Sequence, residues 1–152
     1  MKIEAAFWDD PVVQALTSEQ QAEIRARYGG KEEPGTPPSA ADVSVVLVAR
    51  DEDGSPLGCG ALRELGDGAA EVKRMFVVPA ARGRGLSKAV LAALEDAARE
   101  RGWTTLRLET GPRQPEAVAL YTGAGYDPVE AFGAYVGDPD AADSLFFGRV
   151  LA

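Results

Sequence analysis

The sequence predicts a mixed α/β fold: a central, mostly antiparallel sheet containing one parallel βαβ unit, with helices on both faces. Three observations carry that reading. Strand candidates recur between Val43 and Val78, separated by the turn-forming stretches DEDG and GDG. The apolar period then lengthens at Leu86, Val90, Leu91, Leu94 and Ala98, the stripe of an amphipathic helix. A further strand, WTTLRLET, follows that helix directly, and a strand–helix–strand order sets its two strands parallel in one sheet.

Taken in order, KIEAAFW alternates and reads as a short opening strand, and PVVQALTSEQQAEIRARYGG reads as a helix stopped by its Gly-Gly pair. Residues 31–42, KEEPGTPPSAAD, combine proline and charge without periodicity and form a surface loop. VSVVLVAR and SPLGCGALREL pair around DEDG, and AAEVKRMFVV follows GDG as the next strand. Its alternation gives way to four apolar residues, Met75, Phe76, Val77 and Val78, the pattern of a strand buried on both faces or bulged near its end. In the helix that follows PAARGRG, Glu95 and Arg99 are expected to pair at i,i+4 on a more exposed face, and ERG ends the element. PEAVALYTGAG is a short helix with proline and glutamate in its first turn. The last segment is expected to hold a strand near AFGAYV, an acidic loop and a closing strand SLFFGRVL.

Composition removes several functions. The 152 residues suit one domain, 1–152, and no apolar run approaches the roughly 20 residues of a membrane span, so neither a membrane partner nor a secretory leader is expected. A single cysteine, Cys59, leaves no intrachain disulfide or thiolate cluster, which suits a cytoplasmic setting with Cys59 in the core. The absence of histidine removes histidine triads, the usual zinc sites and the commonest general base. No metal is therefore expected, and any acid or base is a carboxylate, a tyrosine, a water or the substrate itself. A net charge of -8 opposes nucleic-acid binding and favours a cationic substrate.

Against that acidic background, ARGRGLSKAV sets Arg82 and Arg84 beside Gly83 and Gly85 at a helix start. Such a turn can cradle an anion with backbone N–H groups and guanidinium charge, or it can be an ordinary junction with solvated arginines. It is neither a dinucleotide fingerprint, which needs a third glycine near Lys88, nor a Walker A loop.

The ordered set VKRMFVVP, ARGRGLSKAVLAALEDAARERG, LRLETG and QPEAVALYTGAGY resembles the GNAT superfamily of acyl-CoA N-acyltransferases across roughly residues 44–126. Arg82 and Gly85 match the family's Q/R-x-x-G-x-G/A signature, with Ser87 in the last small position. Gln114, Ala117, Leu120, Tyr121, Gly125 and Tyr126 follow its second motif, with glutamine where asparagine is common. The resemblance implies a three-layer GNAT-like fold, a cofactor-binding core at about residues 70–126, and acetyl-CoA as cosubstrate. It also implies that Arg82, Gly83, Arg84, Gly85, Leu86 and Ser87 bind pyrophosphate, and that a bulged strand end at Met75, Phe76, Val77 and Val78 binds the pantetheine arm and acetyl carbonyl. Gln114 and Ala117 would add cofactor contacts, and Tyr121 would protonate the departing thiolate.

The reaction so implied is direct attack of a primary amine on the thioester. An amine with a pKa near 10 must lose a proton, and the bulged strand offers Glu71 as base or water anchor, unless it is an edge or surface charge. Glu109, at the end of the next strand, competes with it, or caps the following helix or pairs with Arg113. Acceptor selection falls to residues 10–42 and 130–145, where Phe132 and Tyr135 offer aromatic walls. There Asp138, Asp140 and Asp143 offer negative charge or simply solvate a loop. The expected partner is a small-molecule amine; a protein lysine or N-terminus, and a noncatalytic acyl-CoA-binding module, are the alternatives. A monomer or homodimer is expected.

Overall fold

The computed structural model describes residues 1–31 and 33–151. Seven strands form one sheet: β1 (Lys2–Ala5), β2 (Val43–Arg50), β3 (Pro56–Gly66), β4 (Ala69–Val77), β5 (Thr105–Thr110), β6 (Asp127–Pro128) and β7 (Leu145–Val150). Their order across the sheet is β1-β2-β3-β4-β5-β7-β6, and β4–β5 is the one parallel pairing among the described residues. Three helices cover it: α1 (Pro11–Arg27), α2 (Leu86–Glu100) and α3 (Pro115–Gly123). This is the mixed sheet between helical layers that the pattern implies. No helix is long and apolar enough to cross a membrane among the described residues.

Burial follows the periodicities. The stripe Leu86, Val90, Leu91, Leu94 and Ala98 turns α2 onto Leu62, Ala70, Val72, Leu106 and Leu108 of the sheet, and α3 adds Tyr121 on that face. Asp10 caps α1 by accepting the Val12 N–H at 2.8 Å, and Pro11 takes the first helical position. Val13 and Leu16 of α1 then pack on Val46, Val48, Cys59, Ala61 and Phe76, on the opposite face. Cys59 is core as expected; burial pushes its thiol up to about 12, and the thiol donates to the Arg74 carbonyl at 3.3 Å.

Two local expectations fail for tertiary reasons. Glu95 does not pair with Arg99 on an exposed face: it is buried, accepts from the Tyr126 hydroxyl at 2.9 Å and Arg149 at 2.7 Å, while Arg99 pairs with Asp96. AFGAYV is not a strand. Gly133 has φ +56, and Gly133–Tyr135 is a 3₁₀ turn that brings Phe132 and Tyr135, three residues apart, into one cluster with Ala141. The two-residue β6 beside β7 is too short to leave a period in the sequence.

β3 carries a tight spot. A Cβ on Gly58 would sit 2.5 Å from the Phe76 backbone oxygen, which a shift of a flexible side chain cannot relieve. Gly58→Ala is expected to cost about 1–3 kcal/mol, read as a lower urea midpoint; an unchanged midpoint would show that β3 and β4 separate there freely.

Candidate active site

The parallel ladder between β4 and β5 is short, joining Ala69, Ala70 and Glu71 to Thr105, Leu106 and Arg107, after which the strands diverge. A bulge follows. β3 advances two residues from Cys59 to Ala61 while β4 uses three between Phe76 and Lys73, and Arg74 takes φ +57. Glu71, Lys73 and Phe76 consequently share the α1 face, opposite Arg63, Ala61 and Cys59, while Val72, Met75 and Val77 face α2. The bulge accounts for the lost alternation, one residue ahead of the apolar run that signals it.

Divergence opens a cavity of about 950 Å³ through the sheet. Met75, Phe76 and Val77 line it from β4, Glu109 and Thr110 from β5. Gln20 donates to the Met75 carbonyl at 2.7 Å and Arg82 Nε to the Val77 carbonyl at 3.0 Å. The Thr110 hydroxyl is buried without a hydrogen-bond partner among the described residues. Val78 lies outside the lining, its N–H spent on the Leu57 carbonyl.

At one end stands the arginine-glycine turn. Gly83 and Gly85 have φ +82 and +77, and a Cβ on either would meet nothing within 4 Å, so glycine is demanded there by backbone conformation. Gly85 caps α2 without a side-chain bond. The first-turn N–H groups of Leu86, Ser87 and Lys88 thus have no helical carbonyl to bond, and all three residues line the cavity. Arg82 lines it too, held by Glu23 at 2.7 Å and lying over the Phe76 ring. Arg84 does not; its guanidinium lies 3.9 Å from Asp51.

From the α2–α3 face comes Tyr121, buried and edge-on to Tyr126, with no hydrogen-bond partner for its hydroxyl among the described residues. Burial raises its pKa, so the phenol keeps its proton throughout the neutral range. Ala117 and Gln114 also line the cavity, and Gln114 accepts from the Tyr28 hydroxyl at 3.2 Å. Tyr28, at the end of α1, also receives the Arg113 N–H and covers Gly111, where a Cβ would overlap its ring. Arg27 pairs with Glu116, and the Arg113 guanidinium bonds the Arg27 carbonyl at 3.0 Å. The end of α1 is thus clasped to the β5–α3 loop.

The two candidate bases differ sharply. Glu71 is neither at an edge nor on the surface: it is 1% exposed and does not line the cavity. One oxygen accepts from Arg63 at 2.8 Å, the other from the Tyr135 hydroxyl at 2.6 Å, and Lys73 lies 3.7 Å away. Glu109 lines the cavity on the α1 face and accepts from Ser144 at 2.6 Å. Burial pushes its carboxyl up to about 7, against the Ser144 bond and Lys73, which lower it. It neither caps α3 nor pairs with Arg113.

The predicted acceptor elements meet above this face. Gly35 N–H bonds Asp138 at 2.8 Å, and Arg63 bonds the Thr36 carbonyl at 2.7 Å. Phe132 and Tyr135 pack with Phe146 beneath them, and Asp140 and Asp143 line the cavity rim. Gln20 and Tyr28 leave no mark in the sequence, since each acts through a distant partner, and Thr110 leaves none because its significance lies in burial without a partner among the described residues. Lys73 and Arg74 do leave one, as adjacent cations inside a largely buried strand.

Comparison with known proteins agrees with this fold. Residues 5–126 match the family model described as the acetyltransferase (GNAT) family. A protein of Azospirillum brasilense named IAA acetyltransferase is 45% identical over 106 residues, 69% of this chain and 67% of that protein. The chain spans 55 to 67% of the length of the first curated relatives it matches. A crystal structure from Klebsiella pneumoniae, of a protein assigned as an acyl-CoA N-acyltransferase, superposes with a TM-score of 0.84 at 34% identity, over 99% of this chain and 97% of that one. The PaiA N-acetyltransferase of Thermoplasma acidophilum, solved in complex with coenzyme A, shares the fold at a TM-score of 0.69 and 15% identity, over 99% of both chains.

The buried Glu109 carboxyl has a consequence for stability. Between its ordinary value of 4.5 and about 7 the folded protein holds a proton that the unfolded chain has released, so this group's contribution falls as pH rises through that window. Glu109→Gln has no such proton. Urea unfolding at about pH 5 and about pH 8 is expected to show the wild type losing stability relative to the variant. Equal pH dependence in the two proteins would remove the perturbed carboxyl.

Proposed function

This chain belongs to the acetyltransferase (GNAT) family, and from that premise we propose that it transfers an acetyl group from acetyl-CoA to the primary amine of a small molecule. The observation that carries this reading is the single cavity through the sheet, which meets a protonated phenol, Tyr121, from one face and a carboxyl titrating near neutrality, Glu109, from the other. The A. brasilense relative's name supports acetyl transfer. The contact of residues 33–42 with Asp138 and Tyr135 narrows the acceptor side and favours a small molecule over a protein chain.

Acetyl-CoA, when bound, supplies an activated acyl group with a thiolate to leave. The residues present fit it: the turn at Gly83 and Gly85 presents the N–H groups of Leu86, Ser87 and Lys88 to a pyrophosphate, with Arg82 and Lys88 adding charge. The diverging end of β4 around Met75, Phe76 and Val77, which lines the cavity, would hold the pantetheine arm. Thr110 brings an unpartnered hydroxyl to the same gap. Glu109 accepts the proton of the attacking amine, directly or through a water, and Tyr121 donates one to the leaving sulfur. Glu71 takes the structural role in this scheme. Its bonds to Arg63 and Tyr135 hold the acceptor wall over Glu109.

Calorimetric titration with coenzyme A is expected to give one site in the wild type and almost none in folded Gly85→Asp, which sets a carboxylate and a disfavoured backbone at the helix start. Unchanged affinity would sink the assignment of the turn.

Thiol release from acetyl-CoA over a broad amine panel tests the chemistry. Tyr121→Phe is expected to lower kcat by about 10²–10⁴-fold with little change in cofactor affinity. For the wild type, kcat/KM should rise with pH through about 7, and Glu109→Gln should abolish that inflection together with most of the rate. A Glu109→Gln profile matching the wild type would exclude Glu109 as base.

A further inference from the structure

A carboxylate already occupies the acceptor wall, and it belongs to the protein. Both terminal nitrogens of Arg74 meet the two oxygens of Glu33, the Nη2–Oε2 pair at 3.0 Å, and Lys73 Nζ donates to Oε1 at 3.1 Å. All three residues line the cavity. The Arg74 and Lys73 side chains are only 10% and 7% exposed. Two buried cations side by side require an anion, since either left unpaired would carry its full desolvation cost. Arg74 is also the bulge residue at φ +57, a conformation that side chains other than glycine rarely adopt and that concentrates at functional sites.

Glu33 is not needed to fasten its own loop. The Arg63 bond to Thr36, the Gly35 bond to Asp138 and the Arg63–Asp42 pair hold residues 35–42 independently. The Glu33 side chain can therefore leave Arg74 while the loop stays in place. Glu109 lines the same cavity as Lys73, Arg74 and Glu33. The cavity's charge balance points the same way: eight of the chain's sixteen Lys and Arg line it, against six of twenty-four Asp and Glu. A chain acidic overall thus places half of its cations along the cavity.

We propose that Lys73 and Arg74 form a carboxylate subsite of the acceptor pocket, that Glu33 is its internal occupant, and that the acceptor is an amino acid whose carboxylate displaces Glu33 while its amine meets Glu109. The proposal rests on the acetyl-transfer reading for the fate of the amine, but not for the binding of the carboxylate. Lys73 remains balanced by Glu71 at 3.7 Å when Glu33 withdraws, so one negative charge from the substrate restores the ligand-free balance. The bidentate face of Arg74 suits the planar carboxylate of an amino acid as it suits that of Glu33.

The test is calorimetric binding to the coenzyme A-loaded protein, using the L-α-amino acids, β-alanine and 4-aminobutyrate, each beside its carboxamide. At least one free carboxylate is expected to bind about tenfold or more tightly than its carboxamide. Glu33→Gln, which withdraws the internal competitor's charge, is expected to tighten carboxylate binding by about tenfold and leave carboxamides unchanged. Arg74→Gly, which tolerates the backbone, is expected to erase the discrimination, with thermal unfolding and coenzyme A affinity verifying the fold. The proposal is overturned if no carboxylate outbinds its carboxamide, or if Glu33→Gln weakens carboxylate binding. Thiol release from acetyl-CoA, run in parallel, separates the two claims. Carboxylate-selective binding without turnover upholds the subsite and defeats acetyl transfer. Turnover of amines without carboxylate preference does the reverse.

Discussion

Putting a non-glycine residue such as Arg74 into left-handed backbone costs about 1–2 kcal/mol, and β4 tolerates it because pairing with β3 resumes at once. Phe76 returns to register opposite Cys59, whose thiol bonds the Arg74 carbonyl. What the extra residue changes is the parity of the strand. With unbroken alternation Met75 and Val77 would share the α1 face with Glu71 and Lys73, and Phe76 would point towards α2. The bulge instead gives Phe76 to the α1 core and returns Met75 and Val77 to the α2 core. It bends β4 where the ladder to β5 has already lapsed, and the cavity exists because those two interruptions coincide.

The charges around the gap are arranged by the same divergence. A sheet pairs its polar backbone internally, so where the ladder ends other donors are needed, and Gln20 and Arg82 supply them to the Met75 and Val77 carbonyls. On the α1 face the ions form a chain from Asp42 through Arg63, Glu71 and Lys73 to Glu33 and Arg74. Buried chains of this kind contribute little net stability against an apolar core, but removing one member leaves a charge stranded. Their effect here is positional. They tie the loop at residues 33–42, the strand β4 and the Tyr135 segment into one wall facing Glu109.

The sequence was most informative where a signal is local. The α2 stripe, the DEDG and GDG turns and the arginine-glycine turn before Leu86 are each written within a few residues, and each stands where its pattern places it. Tyr121 and Gln114 likewise reach the cavity from a contiguous motif. The carboxylates were harder to read, because what a carboxyl does depends on partners far along the chain. Glu71 meets Tyr135 across 64 residues, Glu109 meets Ser144 across 35, and Glu95 meets Arg149 across 54. Arg84 and Val78 sit inside the right motifs yet turn away from the cavity, since a motif fixes the backbone path before it fixes each side chain.

Desolvation acts on the two titratable groups of the gap in the same direction and with opposite chemical results. Burial disfavours the charged form of both Tyr121 and Glu109. For the phenol this keeps a proton in place at neutral pH, so it enters the proposed reaction as a donor. For the carboxyl it raises basicity until the proton is held and released near neutrality, where a base is both available and strong enough to act. A wetter Glu109 would be ionised more fully and accept a proton less readily. The single bond from Ser144 tempers that rise without cancelling it, because a carboxylate with several donors would fall back towards its ordinary value. Glu71 illustrates the other extreme: Arg63 and the Tyr135 hydroxyl donate to its two oxygens and it lies outside the cavity lining, so in the proposed reaction it holds the wall while Glu109 takes the proton.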